Sequence, residues 1–241
     1  MPNYRIIIII AITLIGGWLL ISSPRQISAA DNDFILAWSS NSYVPADYEG
    51  RALPSLGSQI TVAVMPAKKT LNSDTLTYRW LLDNELIGWA NGQGKSSFRF
   101  AASHQDGAPH QIESQVLNAD GNQLLWRGFL TVKLVRAQIL IREAGAGYSA
   151  QEVLTTATGR DLKLFARPLF FHIKNPSEIN FSWQFDGQTL ASPDQKNLDQ
   201  LTLKIPAGNL AATLTKSLKS TINHKTDPRQ SATVNLNIEI K

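Results

Sequence analysis

From residue 59 to the end of the chain, apolar and polar side chains alternate with a period of two. Ile60, Val62 and Val64 alternate with Gln59, Thr61 and Ala63, while Leu76, Tyr78, Trp80 and Leu82 lie opposite Thr75, Thr77 and Arg79. Phe98 and Phe100 continue the pattern, as do residues 179–185, 201–205 and 234–240. Successive side chains of a strand point to opposite faces, so these runs predict strands with one dry and one wet face. Turn dipeptides separate them: Asp83-Asn84, Asn91-Gly92, Asp106-Gly107, Asp120-Gly121, Asn175-Pro176 and Asp186-Gly187. Ile35-Leu36-Ala37-Trp38 adds an edge strand, and residues 43–54 a long loop expected to wrap the first half. Residues 209–218 carry some helical pattern but also read as strand. The prediction is an all-β chain.

The two halves repeat each other. Residues 60–66 match 162–168, each run closed by a proline, and Tyr78-Arg79-Trp80-Leu81-Leu82-Asp83 matches Phe181-Ser182-Trp183-Gln184-Phe185-Asp186. Repeats of this size, each with about seven short strands, predict two tandem sandwiches of ~100 residues. The boundary places the first module at 31–135 and the second at 136–241, with almost no linker between them.

At the aromatic-x-Trp-x-x-Asp strands the chain resembles the immunoglobulin-like group, and within it the PKD-like and cadherin-like modules of bacterial exported surface proteins. Trp183-Gln184-Phe185-Asp186-Gly187 is similar to the PKD signature strand, a tryptophan followed by an acidic-glycine turn, and Trp80-Leu81-Leu82-Asp83-Asn84 is a looser copy. The resemblance implies two tandem immunoglobulin-like β-sandwiches and a structural, adhesive or assembly role at a cell envelope. In such a sandwich Trp80 and Trp183 fill the space between the sheets.

Ahead of the modules, residues 6–22 carry no charge, follow Arg5 and end before Pro24; Ser28-Ala29-Ala30 then offers small residues for cleavage. Residues 1–30 therefore read as a signal peptide or as an N-terminal membrane anchor helix. On either reading this segment enters a membrane during export, and the rest is secreted, periplasmic or displayed at the cell surface.

Composition narrows the chemistry. No cysteine is present, which excludes disulfides, thiolate nucleophiles and thiolate-bound zinc. Of the 23 basic residues, only Arg5 and Arg25 precede position 31, leaving 21 against 19 acids. With no lysine/arginine cluster to follow a run of phosphates, nucleic acid is not an expected partner. No Gly-x-Ser-x-Gly elbow and no histidine in nucleophile context occurs, so no catalytic residue is assigned and the chain reads as a non-enzyme.

His104 and His110 flank a turn and read as solvated loop histidines, and Asn118-Ala119-Asp120-Gly121-Asn122 reads as a hairpin turn rather than a calcium loop. No cofactor or metal is expected. The binding hint is tryptophan: Trp89 precedes the polar glycine-rich run Asn91-Gly92-Gln93-Gly94, a flat ring beside amide groups suited to stacking on a sugar. Trp126, before an expected bulge near Gly128, is the second candidate, with core packing as its other reading. The expected partner is thus an envelope or surface protein, or a glycan held at Trp89, Asn91, Gln93 and Trp126.

Overall fold

The computed structural model describes residues 33–68, 70–104, 107–146, 153–190 and 198–241. Residues 1–30, expected to be a signal peptide or anchor, lie outside them. Among the described residues no helix is long and apolar enough to cross a membrane.

The protein is all-β. In chain order its strands are β1 (Phe34–Ser40), β2 (Gln59–Pro66), β3 (Thr77–Leu82), β4 (Glu85–Leu86), β5 (Gly92–Gln93), β6 (Ser97–Ala101), β7 (His110–Leu117) and β8 (Leu124–Val132). The chain continues with β9 (Gln138–Glu143), β10 (Val153–Thr156), β11 (Asp161–Leu169), β12 (Ile179–Phe185), β13 (Gln188–Leu190), β14 (Gln200–Lys204), β15 (Leu214–His224) and β16 (Ser231–Ile240). Residues 209–213 stay irregular, so the helical pattern near 209–218 forms no helix.

Four sheets result, in two pairs. Sheet β1-β2-β6 faces β4-β3-β7-β8, and sheet β14-β11-β9 faces β10-β16-β15-β12-β13. The first, second and fifth strands of an immunoglobulin order lie in one sheet and the C, F and G strands in the other, the arrangement of an immunoglobulin-like sandwich. Each pair encloses its own apolar core, one around Ile60, Tyr78, Trp80, Ile112 and Val116, the other around Leu164, Phe171, Trp183, Leu218 and Ile238.

The repeat extends to the central contacts. Trp80 stands opposite Ser114 and Trp183 opposite Ser220, so a small side chain makes room for each indole. Each indole N–H donates to a backbone carbonyl fifteen residues later, Trp80 to Lys95 at 2.8 Å and Trp183 to Leu198 at 3.2 Å. Asp83 and Asp186 end the two tryptophan strands at positive φ, 52° and 49°. Each returns a hydrogen bond to its neighbouring strand: Asp83 accepts from the Gln111 N–H at 2.8 Å and Asp186 from the Ser217 N–H at 3.3 Å. Short aspartates tolerate this backbone region, which turns the chain tightly into the next strand.

The segment between β1 and β2 departs from expectation. Instead of wrapping the first sandwich, it crosses to the second. Tyr43 forms an antiparallel bridge with Phe171: its N–H donates to the Phe171 carbonyl at 2.7 Å, and the Phe170 N–H donates to the Tyr43 carbonyl at 2.7 Å. Tyr48 meets Phe170 edge to face, and Asp47 pairs with Arg142 at 3.0 Å. The returning limb is held by Gln230, whose amide donates to the Leu56 carbonyl at 2.6 Å and the Ser55 hydroxyl at 3.3 Å. Ser42, Ser55 and Ser58 share a buried hydroxyl cluster beneath it. Backbone groups of such a loop need partners, and here the second sandwich supplies them for both Tyr43 groups and for the Leu56 carbonyl.

Candidate functional site

The Trp89 surface is built from a tight connection. Asp83 and Asn84, both at positive φ, turn β3 into the two-residue β4; a single 3-10 turn, Gly88–Ala90, then carries Trp89. Ala90 is buried beneath this turn, which points the indole outward. Trp89 is 66% exposed, and its edge is held against Phe98, with ring centroids 6.2 Å apart at 72°. Exposed Leu86 lies on the same connection. The result is a flat apolar ring at the surface, fixed from one side.

Two of the expected amides are already in use. Asn91 Oδ1 accepts the backbone N–H of Trp80 at 2.7 Å, completing the β3 edge that the 3-10 turn leaves unpaired. Gln93 Nε2 donates to the Thr75 carbonyl at 3.4 Å. Among the described residues, Asn91 Nδ2 and Gln93 Oε1 have no partner, which leaves one donor and one acceptor group on the run that follows the 3-10 turn.

Trp126 does not join this surface. It is 8% exposed and packs in the first core, with its ring centroid 5.6 Å from that of Phe34. It sits on β8, at the opposite edge of the sheet from β4. The expected bulge lies before Trp126 rather than after it: Val116 pairs with Trp126 and Leu117 with Leu124, leaving Leu125 as the extra residue. Gly128 keeps the face of Trp126, and the indole folds along the strand into the space where a Gly128 Cβ would stand. Trp126 is therefore a core residue and not a ligand contact.

The histidines also differ from expectation. His110 is 1% exposed and stacks on His104, with centroids 3.9 Å apart at 25°. His110 Nδ1 lies 2.7 Å from Asp83 Oδ2, and the Ser103 N–H reaches its Nε2 at 3.4 Å. That pairing leaves the ring proton on Nδ1, donated to Asp83. His104 donates from Nδ1 to the Ala108 carbonyl at 3.1 Å and sets Nε2 3.4 Å from the same carboxylate oxygen. Asp83, His104 and His110 form the cluster closest to a metal-binding set among the described residues. An ion bound by both imidazoles lies in both ring planes, however, and stacked, nearly parallel rings do not converge on one point. In the second sandwich Lys216 occupies the place of His110, paired with Asp186. Its hydrogen bond to Asp186, with that from the Ser217 N–H, holds that carboxyl below the ordinary aspartate range. The cluster thus acts as a strand-end hydrogen-bonding site for Asp83 that the first sandwich builds from imidazoles.

Asn118 confirms its turn role: Oδ1 accepts the N–H groups of Asn122 and Gln123, and Nδ2 donates to Asn122 Oδ1. These side-chain oxygens are spent within the hairpin. What the alternation pattern missed is the junction, including a cleft of about 500 Å³ bordered by Ser55, His104, Arg136, Arg229 and Gln230. Neither Gln230 nor Ser55 carries a sequence signal beyond being polar.

No family model matches the chain, and no curated protein matches it. Solved structures similar to it include the three N-terminal domains of the Highly Immunogenic Outer Capsid protein of bacteriophage RB49, at 14% identity, with 86% of this chain and 59% of that chain covered and a TM-score of 0.40. The tandem Ig repeats of Dlar align over 86% of this chain and 97% of that one at 7% identity, with a TM-score of 0.27. A Bacteroides ovatus mixed-linkage glucan utilization locus protein, SGBP-B, solved with a mixed-linkage heptasaccharide, gives 12% identity, 85% and 47% coverage and a TM-score of 0.23. The chain spans 59% of the length of the capsid fragment and about half of the glucan-locus protein.

Proposed function

We propose that this chain is a non-enzymatic, exported envelope or surface protein that acts as a rigid two-module spacer in a structural, adhesive or assembly role. The division is 31–135 and 136–241, following residues 1–30 as signal or anchor. One observation carries the reading: the segment between β1 and β2 is bonded across to the second sandwich at Tyr43, Leu56 and Ser55. Tandem modules joined by a bare linker reorient freely, whereas a strap hydrogen-bonded at both ends fixes their angle. A fixed angle suits an element that sets a distance between two attachment points. The test is cell fractionation with intact-mass measurement, paired with small-angle X-ray scattering. Export together with one scattering profile fitted by a single rigid conformer supports the reading. A cytoplasmic chain, or a profile that needs an ensemble of angles, overturns it.

A second reading rests on the exposed ring of Trp89. A glycan stacked there would use the indole face with Asn91 Nδ2 and Gln93 Oε1 as its polar contacts. A glycan array separates the readings: binding that disappears in Trp89→Ala supports the sugar platform, and no binding removes it.

A further inference from the structure

The two sandwiches differ at one edge. In the second, β10 runs parallel to β16 from Val153 against Asn237 to Thr156 against Ile240, covering the outer edge of the last strand. The segment following β9 supplies β10. In the first, the segment following β1 is the strap that crosses to Phe171, and among the described residues nothing plays the part of β10. Its last strand, β8, pairs with β7 alone, and among the described residues no other backbone hydrogen bond reaches Leu124–Val132. The same diversion that locks the junction leaves the outer edge of β8 without a hydrogen-bonded neighbour among the described residues.

Exposed edges of this length are normally blunted by lysine, proline or an inward charge. The sequence of β8, Leu-Leu-Trp-Arg-Gly-Phe-Leu-Thr-Val, has no lysine, proline or inward charge, and its bulge at Leu125 lies near one end, leaving Trp126–Val132 in regular pairing with β7. Its one charge, Arg127, points to the wet face, where it forms a two-bonded pair with Glu113 and lies 4.8 Å from the Phe129 ring. Phe129 is 68% exposed, and Leu124 is also exposed.

We infer that β8 pairs antiparallel with β8 of a second copy, about a two-fold axis at Gly128. In that register Arg127 lies opposite Phe129 of the other copy, twice. Each guanidinium gains a second aromatic face, and no like charges meet. Trp126 lies opposite Leu130, so the dry face continues across the centre of the seam. Gly128 contributes no side chain on the axis, and the two β4-β3-β7-β8 sheets join into one continuous sheet. Such a pairing is isologous and closes on itself, giving a dimer and no fibre.

The experiment uses the full chain in mild detergent, followed by sedimentation velocity over a concentration series. A monomer–dimer equilibrium is expected. Phe129→Arg sets arginine against Arg127 in both halves of the seam and weakens dimerisation at least tenfold, while thermal melting shows the fold intact. Adding Arg127→Glu to Phe129→Arg restores dimerisation through two new cross-copy ion pairs. Because the chain has no cysteine, register is read directly. Mixed Arg127→Cys and Phe129→Cys chains cross-link under mild oxidation, and neither does so alone to the same extent. A chain that stays monomeric at all concentrations overturns the inference, as does a dimer indifferent to Phe129→Arg. Slow exchange in the monomer of those β8 amides that point away from β7 likewise overturns it, since another segment would then cover the edge.

Discussion

Replacing Gln230 with alanine tests the junction most sharply. Its side chain is 2% exposed and makes three hydrogen bonds: Nε2 donates to the Leu56 carbonyl and the Ser55 hydroxyl, and Oε1 accepts the His172 N–H at 3.0 Å. Alanine keeps the backbone bonds of the turn, in which the Gln230 N–H donates to Asp227 and the His224 N–H donates to the Gln230 carbonyl. Two backbone groups lose their side-chain partner, the Leu56 carbonyl and the His172 N–H. Each buried group left unmatched costs roughly 1–3 kcal/mol, giving ~2–6 kcal/mol in total. The adjoining cleft admits water to part of this site, which favours the lower end, about 2–3 kcal/mol. For a unit of this size that shifts the melting temperature by roughly 4–12 °C. Calorimetry gives the shift, and hydrogen exchange shows where it acts: the Tyr43 and Phe170 amides, which bridge the two sandwiches, should exchange faster. A melting temperature within ~2 °C of the parent, with unchanged exchange at those two amides, would refute the claim that the strap couples the sandwiches.

Trp80→Ala and Trp183→Ala should each destabilise their own sandwich by ~3–5 kcal/mol, as deletion of a buried large aromatic does, while Trp89→Ala costs less than ~1 kcal/mol. Chemical denaturation of the three variants checks the ranking, and Trp89→Ala as the most damaging change would reverse the core assignment. Tyr78→Phe should leave stability equal or raised by ~1 kcal/mol, because the Tyr78 hydroxyl is buried without a partner among the described residues; a clear loss in urea unfolding would contradict this. Burial favours the neutral Glu113 carboxyl, but hydrogen bonds from Arg127 and Gln115 outweigh it and lower its pKa. A lowered folded pKa adds stability above the unfolded value, and this is lost as pH falls through the folded one. Glu113→Gln should therefore flatten the acid side of the stability profile below about pH 4.3 and leave its slope near neutrality unchanged.

Period-two alternation at 60–64, 76–82, 179–185 and 234–240 made the strands legible, because a strand exposes one face and buries the other whatever lies beyond it. The matched Trp-x-x-Asp strands made the internal repeat legible in the same way, since the same local packing needs the same residues twice. Asn118 and the Asp83 and Asp186 turns were equally readable, as their bonds close within a hairpin or against the next strand. Trp126 and His110 were not. An aromatic or imidazole on a strand looks the same whether its ring meets water or another ring. What decides between them is the absence of a Cβ at Gly128, two residues away, and the arrival of Asp83 from 27 positions upstream. The strap was the least legible part: nothing in residues 41–58 says which sandwich they cover. That choice is made by Phe171 and Gln230, more than a hundred residues later, whose backbone and amide groups meet the strap only in the assembled tertiary structure.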